Sequence, residues 1–325
     1  MSSLIEEKLL SSNSGFIDIP PEGTDYIAGV NSPIVYEELV PDGNWGKWLP
    51  KEEQQNSIYF DSMACVSFSA NNVVETQVNF LIDNRLISID DMEWLSSNGY
   101  IEAGKPNLSD RYLARMSGTT RQGNSMKVVC DTLSHWGAVP ESKWSYPTRQ
   151  QTPVFDWDDY YAEIPQELKD LGKEFKQRFP IGYEFVYGDL ANHLKHTPIQ
   201  IATAVCSGWS TDSPIKACDK PIGHAIELYG YFLSKPLIFD TYEPFKKVLA
   251  SDYQIPYRMK IIVNVKRTMT NAKLVKNGSE YGYYLPCASE GALISEGKHY
   301  GIIIPEKEEG KVDWDNVKPD ITMGA

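Results

Sequence analysis

The chain has 325 residues, of which 42% are hydrophobic, 12% aromatic and 23% charged. This composition is typical of a soluble globular protein and excludes the disordered and fibrous classes. The 31 basic and 44 acidic residues give a formal net charge of −13, which argues against nucleic acids and anionic membrane surfaces as partners, because both bind to basic faces. At about 150 residues per domain, the length allows one large domain or two ordinary ones.

The beginning of the chain is polar. Residues 1–30 contain the turn signal PPEG and are predicted to form an N-terminal arm. This stretch has no apolar segment of the kind found in a signal peptide, and no window of the chain approaches the roughly 18 apolar residues of a membrane span. These features favour a cytoplasmic or virion-associated protein over a secreted one.

Helical periodicity follows the arm. From Asp61 onward, apolar residues recur at helical spacing as far as Leu81, which predicts a long helix with Asp61 or Ser62 as its N-cap. Later segments carry capping, glycine-stop and proline signals of further helices. These segments begin at the capping box of Ser88 and Asp91, and span residues 125–136 and 165–180.

Beyond residue 190 the apolar pattern changes to short runs typical of strands. The runs are PIQIATAV, HAIELYGYF, PLIFD and MKIIVNVK, each bounded by turn signals. Helices first and strands later indicate an α+β chain, in which helices pack against an antiparallel sheet or barrel. Residues 269–325 differ in character, with tyrosines, glycines and then a charged run, and are predicted to form a C-terminal extension or small module.

The cysteines and histidines do not indicate a metal site. The five cysteines are odd in number and show no CxxC spacing, and the five histidines show no HExxH-like spacing. Cys206 and Cys218 flank a turn-rich loop and can pair in an oxidising compartment. The alternative, which is commoner in cytosolic proteins, is that both are buried thiols.

Three residues have the order expected of a thiol-nucleophile centre. Cys65 lies near the start of the long helix, where the helix dipole and the first N–H groups stabilise a thiolate. His224 begins one predicted strand and Asp240 ends the next, so antiparallel pairing places Asp240 within reach of the histidine ring. Each residue alone also has an ordinary interpretation, as a small core residue, a lone histidine or a loop aspartate.

The segments around these residues resemble those of the papain-like cysteine peptidases. DSMACVSFSANNVVETQ is similar to the catalytic-helix segment, GHAIELYGYF to the His-Ala strand, and LIFDTYEPF to the Asn-Ser-Trp segment. RQGNSMKVVCDTLSHWGAVPESKWSYP resembles the glycine-bearing pocket strand with its helix, and MKIIVNVK the strand that closes the barrel. The likeness covers residues 31–268 with the segments in the correct order.

The resemblance implies an α+β, two-lobed catalytic domain over residues 31–268. One lobe would contain a long central helix that starts at the nucleophile, and the other an antiparallel β-barrel. The implied activity is that of a cysteine endopeptidase acting on polypeptides through a thioester acyl-enzyme, without metal or organic cofactor. Cys65 would be the nucleophile, His224 the general acid and base, and Asp240 the residue that orients the imidazole.

The resemblance also assigns a substrate cleft. Gly123 and Asn124 would form its floor, where their backbone groups pair with an extended peptide. The neighbouring pocket would be apolar and adaptable, so it is expected to prefer a medium-sized apolar side chain upstream of the scissile bond. The pocket residues are Met126, Ala202 and Ile222, with Gly223 adding no charge beside the histidine.

Several positions depart from the family pattern. Val66 replaces the tryptophan that follows the nucleophile, Asp240 replaces asparagine, and Tyr242 replaces the shielding aromatic residue. A carboxylate stabilises an imidazolium more strongly than an amide does, so the ion pair should persist to higher pH.

The oxyanion hole is a further departure. The family has a glutamine six residues before the cysteine, where this chain has Tyr59. A short insertion would let Gln55, or with less support Gln54, donate to the oxyanion beside the backbone N–H of Cys65. The alternative is that both are solvated loop glutamines.

These departures keep two other functions open. The same triad would serve an acyltransferase or amidase acting on a non-protein substrate, and the fold would also serve a non-catalytic structural or binding protein. Control is a further question, because papain-like peptidases resemble one another in having a long inhibitory pro-segment and only about 30 residues precede the domain here. Either control comes from elsewhere, or the arm and the C-terminal segment provide it.

Overall fold

The structure is a computed structural model. It describes residues 15–32, 37–56, 60–145 and 156–264, together with the backbone of strands between residues 273 and 320. Tyr59 and Cys287 lie outside the described residues. The chain forms two compact units, Met1–Lys266 and Arg267–Ala325.

The helices of the first unit lie where the periodicity predicts them. Ser88 and Ser125 cap their helices by accepting hydrogen bonds from the backbone N–H groups of Asp91 and Val128, as the capping signals predict. The helices are α1 Cys65–Asp83, α2 Ile89–Ser97, α3 Asp110–Met116, α4 Met126–Trp136, α5 Trp157–Tyr160, α6 Gln166–Arg178 and α7 Leu190–Leu194, with a short 3-10 helix at Glu141–Lys143.

The predicted cap of the long helix is wrong. Helix α1 begins at Cys65 with Ala64 as its N-cap, and no side chain caps it. Asp61 is instead held one turn earlier, where its carboxylate accepts hydrogen bonds from Met63 N at 2.9 Å and from Gln55 Nε2 at 2.9 Å. Because these bonds occupy the carboxylate, it is not available to the first helical turn.

The strands of the first unit form one antiparallel sheet. The four predicted strands are all present, and the sheet order is β3-β8-β4-β5-β6-β7, so the predicted α+β class is confirmed. The strands are β3 Ile181–Phe185, β4 Ile199–Ala204, β5 Ile222–Phe232, β6 Lys235–Phe239, β7 Lys246–Val248 and β8 Tyr257–Val263, with a separate hairpin of β1 Ile101–Glu102 and β2 Lys105–Pro106.

Helix α1 is enclosed by the sheet on one side and by other helices on the other. It packs on β4, β5 and β8 and against α3 and α4, and 16 of its 19 residues are buried. Gln200 on β4 anchors its first turn by donating to Val66 O at 2.8 Å, and Gln77 anchors its later part by donating to Ile261 O at 2.8 Å. These bonds fix the start of α1 relative to the sheet.

The second unit contains a small antiparallel sheet of its own. Its strand order is β12-β11-β10-β9, with β13 pairing with β11 on the other side. The strands are β9 Lys273–Asn277, β10 Glu280–Tyr284, β11 Gly301–Glu308, β12 Lys311–Val312 and β13 Lys318–Asp320. Within the described residues of the chain, no helix has the length and apolar character needed to cross a bilayer.

The core beneath α1 contains a buried acid, Glu227 on β5. Its side chain is fully buried, and burial raises the pKa of Glu227 to about 8. A group with a raised folded-state pKa stabilises the fold below its unfolded-state pKa, and this contribution is lost as the pH rises through the folded value.

We expect Glu227→Gln to remove this pH dependence. The variant should match the unaltered chain at pH 5 and exceed its unfolding free energy at pH 8.5 by on the order of 2 kcal/mol. Urea unfolding at both pH values measures this, with the exposed Glu163→Gln as the matched control. Equal pH dependence in Glu227→Gln and the unaltered chain would show that Glu227 is not neutral in the folded state.

Candidate active site

Cys65 is the first residue of α1, so its side chain lies at the positive end of the helix dipole. The first turn contains no acidic residue, and no carboxylate there opposes a negative charge on sulfur. The thiol is fully buried. The sequence predicts a thiol at this end of the helix, and the structure places it there.

His224 and Asp240 meet at the edge shared by β5 and β6. Strand β5 runs antiparallel to β6, with Glu227 opposite Phe239, so the start of β5 lies beside the residue that follows β6. The His224 ring donates from Nε2 to Asp240 Oδ1 over 2.6 Å, and both side chains are fully buried. The predicted contact between these two residues is therefore present in the structure.

The carboxylate determines the charge of the imidazole. Burial alone would lower the pKa of His224, but the Asp240 carboxylate, together with the Cys65 thiol, raises it to about 10. Burial alone would likewise raise the pKa of Asp240, but Lys247 and His224 outweigh it and hold that pKa well below its usual range. The pair is thus an imidazolium and a carboxylate at neutral pH.

The second ring nitrogen of His224 faces the thiol side of the site. Nε2 is committed to Asp240, and Nδ1 makes no hydrogen bond to a nitrogen or oxygen of the described residues. The thiol of Cys65 is close enough to contribute to the raised pKa of His224. Nδ1 is therefore the ring nitrogen that is available to the thiol of Cys65.

Two further partners of Asp240 were missed by the sequence analysis. Trp209 donates from Nε1 to Asp240 Oδ2 over 2.7 Å, and Lys247 donates from Nζ to the same oxygen over 2.6 Å. Neither Trp209 nor Lys247 belongs to a sequence motif that would link it to Asp240. A partial signal exists for Lys247, because adjacent lysines in a strand face opposite sides and one of the pair must point inward.

Aromatic rings enclose the histidine. The ring of Tyr242 lies 5.3 Å from that of His224, and the ring of Trp209 lies 5.9 Å from it on an edge. Trp209 comes from the loop that a disulfide between Cys206 and Cys218 closes. The expectation of two buried thiols at these positions is wrong, because the loop brings the two residues together around Trp209.

Gln55 lies in a buried network next to both halves of the site. Its Nε2 donates to Asp61 Oδ1 over 2.9 Å, and its Oε1 accepts from Thr241 Oγ1 over 2.8 Å. Its backbone oxygen accepts from Ser62 N, three residues before the cysteine, over 3.2 Å. Gln55 is therefore not a solvated loop residue, and one proton of its amide group is committed to Asp61.

The predicted cleft floor is occupied by the arm of this chain. Asn124 N donates to Gly15 O over 2.9 Å, and Ile17 N donates to Asn124 O over 2.8 Å, so that the segment pairs in parallel with Asn124. Phe16 N donates to Gly223 O over 3.1 Å, directly before the histidine. These are backbone bonds of the kind expected for an extended peptide.

Two glycines make this close approach possible. Gly15 has φ +98°, and a Cβ added to it would lie 2.6 Å from Met63 O and 3.3 Å from Cys65 Sγ. Gly123 has φ +97°, and a Cβ there would lie 1.9 Å from Gly15 O. Any side chain at either position would collide with the backbone, so both positions require glycine while the arm is in the cleft.

The arm is attached at further points along its length. The ring of Phe16 lies 5.0 Å from that of Tyr257, and Lys127 forms an ion pair with Asp25 over 2.9 Å. Ala28 N donates to Phe185 O at the edge strand β3 over 2.9 Å. Residues 15–28 of the arm therefore run from the thiol, past the cleft floor, to the edge of the sheet.

The predicted pocket residues are only partly brought together. Met126 lines a cavity of about 300 Å³ with Phe16, Tyr257 and Met259. Ala202 is buried inside β4 and Ile222 begins β5, and neither lines that cavity. Among the residues that the structure describes, no three histidine, cysteine or acidic side chains are grouped to hold a metal ion.

Solved structures similar to this fold are papain-like cysteine proteases. Bromelain from Ananas comosus in complex with the E64 inhibitor matches 69% of this chain and 98% of its own, at 12% identity and a TM-score of 0.44. Xylellain, a cysteine protease from Xylella fastidiosa, matches 79% of this chain and 97% of its own, at 13% identity and a TM-score of 0.48. The proform of Amb a 11, a ragweed pollen cysteine protease, matches 68% of this chain and 66% of its own, at 14% identity and a TM-score of 0.42.

These matches are remote. No family model matches the chain, and no curated protein matches its sequence. The matched structures belong to the family that the sequence motifs resemble, and at 12–14% identity the likeness concerns the fold alone.

The raised pKa of His224 makes the stability of the fold depend on pH. The His224–Asp240 pair stabilises the fold fully below about pH 6.5, the ordinary value for histidine in an unfolded chain, and this contribution is lost as the pH rises through the folded value of about 10. We expect the unfolding free energy to fall by on the order of 3 kcal/mol over this interval.

Thermal or urea unfolding of His224→Gln measures this contribution. The variant should be less stable than the unaltered chain at pH 6 and approach it at pH 10, whereas the exposed His135→Gln should follow the unaltered chain throughout. A constant difference between His224→Gln and the unaltered chain at all pH values would contradict the assigned ion pair.

Proposed function

We propose that this chain is a cysteine endopeptidase that uses Cys65 as nucleophile and the His224–Asp240 pair as acid and base. The observation that carries the proposal is the 2.6 Å contact between His224 and Asp240, formed beside a thiol at the start of a helix. A buried imidazolium that a carboxylate holds charged, and that a thiol also contacts, is the arrangement needed for thiolate chemistry.

The reaction follows from these groups. The Cys65 thiolate attacks the carbonyl carbon of the scissile bond and forms a carbon–sulfur bond, and the carbonyl electrons move to oxygen. The His224 imidazolium gives its proton to the leaving amine as the carbon–nitrogen bond breaks. Neutral His224 then takes a proton from water, which attacks the thioester and releases the carboxylic acid and the thiolate.

Oxyanion stabilisation has a candidate donor in Gln55. The amide of Gln55 has two protons, and Asp61 accepts one of them. Its second proton and the first N–H groups of α1 would donate to the oxyanion. One such donor contributes roughly 3 kcal/mol to the barrier, so Gln55→Ala should reduce the rate more than it affects substrate binding.

A polypeptide is the proposed substrate class. Support comes from the arm, which binds Asn124 and Gly223 through backbone hydrogen bonds, so these two residues can hold the backbone of an extended peptide. The arm is not presented for attack, because the Gly15 carbonyl oxygen accepts from Asn124 N and not from the donors beside Cys65. We propose that the chain is inactive while the arm covers the thiol.

The alternative functions differ from this proposal in the substrate. An acyltransferase or amidase would act on a non-protein substrate, and a non-catalytic protein would convert none. We would incubate a peptide library with Gly15→Val, in which the arm is displaced, and identify cleavage sites by mass spectrometry. We expect cleavage with a medium-sized apolar residue upstream of the bond, and a rate at least a thousandfold lower in Gly15→Val with Cys65→Ser.

Absence of any cleavage by the folded Gly15→Val protein would contradict the peptidase proposal. Acylation of Cys65 by small amides without peptide cleavage would favour the amidase. Absence of both would favour the non-catalytic function.

Release of the arm has its own test in paired glycine substitutions. Gly15→Val places a side chain against Met63 and Cys65, whereas Gly29→Val, at φ +72°, meets no atom within 4 Å. Both variants carry backbone strain, but only the first disturbs the cleft. We expect alkylation of Cys65 by iodoacetamide, followed by peptide mapping, to be at least about tenfold faster in Gly15→Val, since each 1.4 kcal/mol is tenfold, and unchanged in Gly29→Val. Equal rates in both variants would contradict occlusion by the arm.

A further inference from the structure

The Asp240 carboxylate is surrounded by four hydrogen-bond donors. Oδ1 accepts from His224 Nε2 over 2.6 Å and from Thr241 N over 2.7 Å. Oδ2 accepts from Trp209 Nε1 over 2.7 Å and from Lys247 Nζ over 2.6 Å. Both oxygens therefore act only as acceptors, which a carboxylate can do and a neutral amide cannot.

An asparagine at this position would meet a donor in either orientation of its amide. With its NH2 group on the Oδ2 side, it would face Lys247 and Trp209. With its NH2 group on the Oδ1 side, it would face His224 and Thr241. The presence of a buried ammonium thus explains why this chain has aspartate where the resembling family has asparagine.

Lys247 is built into the site and does not reach it from the surface. Its side chain is 1% exposed, although its neighbour Lys246 on the same strand is exposed. Besides Asp240, its Nζ donates to Tyr242 O and to Pro244 O, each over 2.6 Å. All three ammonium protons are satisfied, as a buried lysine requires.

We propose that Lys247 is a positioning residue of the Cys65–His224–Asp240 centre. Lys247 holds Asp240 as a carboxylate with Oδ1 directed at His224. Its positive charge also offsets part of the attraction between that carboxylate and the imidazolium. That this role serves catalysis rests on the proposed function, whereas the contacts of Lys247 with Asp240 do not depend on it. Lys247 acts through Asp240, since the charged and titratable groups that act directly on His224 among the described residues are Asp240 and Cys65.

Two effects are expected, the first of which a purely structural lysine would not show. Removal of Lys247 leaves the carboxylate with one donor fewer, so it should accept more strongly from His224. Removal of the Asp240 charge alone should strand the buried ammonium, whereas removal of both charges together should relieve it.

The experiment uses the full chain and three variants, Lys247→Met, Asp240→Asn and the combination of the two, with the exposed Lys246→Met as control. The first measurement is the downfield proton resonance of the His224 ring N–H at pH 7, which is assigned by its loss in Asp240→Asn. We expect Lys247→Met to move it further downfield and Lys246→Met to leave it unchanged. No movement in Lys247→Met, or the same movement in Lys246→Met, overturns the proposal.

The second measurement is the thermal unfolding midpoint. We expect Asp240→Asn to lower it by about 10 °C and the combined variant to regain at least part of that loss. A combined variant that is unfolded, or no more stable than Asp240→Asn, overturns the proposal whatever the single variants do. Neither measurement needs turnover, so a chain that lacks peptidase activity would contradict the proposed function and leave this test intact.

Discussion

A buried carboxylate, that of Asp240, is the constraint on which the rest of the site depends. A charge with no exposure to solvent is tolerated only when donors surround it, and here a ring nitrogen, an indole, a backbone N–H and an ammonium do so. These donors come from the start of β5, the disulfide-closed loop, the second residue after β6 and the strand β7. The sheet must therefore form in this register for the charge to be stable, and the same register orients the imidazole toward the start of α1.

The second constraint is the covering of the thiol. Cys65 and His224 are both fully buried, although the proposed chemistry needs contact with a substrate. The arm resolves this conflict, because Gly15 lies against the thiol and the neighbouring residues use the hydrogen-bonding groups of Asn124 and Gly223. The fold thus places the proposed reactive centre beside a bound segment of the same chain. Backbone hydrogen bonds, an aromatic contact and an ion pair hold that segment.

The sequence predicts the parts of this arrangement that follow from periodicity and local chemistry. The helix after Ala64, the capped helices at Ser88 and Ser125, the four strands and the approach of Asp240 to His224 all follow from spacing and strand order. Trp209 could not be predicted, because its contact depends on the geometry of the disulfide-closed loop. For Lys247, the pair of lysines in one strand indicates only that one of them points inward, and not which group it meets. The contact of Gly15 with the start of α1 could not be predicted either. A glycine in a polar segment indicates a turn and not a tertiary contact.

The proposed function requires that a carbonyl substrate acylates Cys65 with the help of His224. The most direct measurement is the intact mass of the Gly15→Val protein after brief exposure to an activated peptide ester and acid quench, with peptide mapping of the adduct. We expect one acyl group, bound to Cys65 as a hydroxylamine-labile thioester, and its absence in the same protein carrying His224→Ala. A folded Gly15→Val protein without the adduct, or an adduct that forms equally well without His224, would contradict the proposed function.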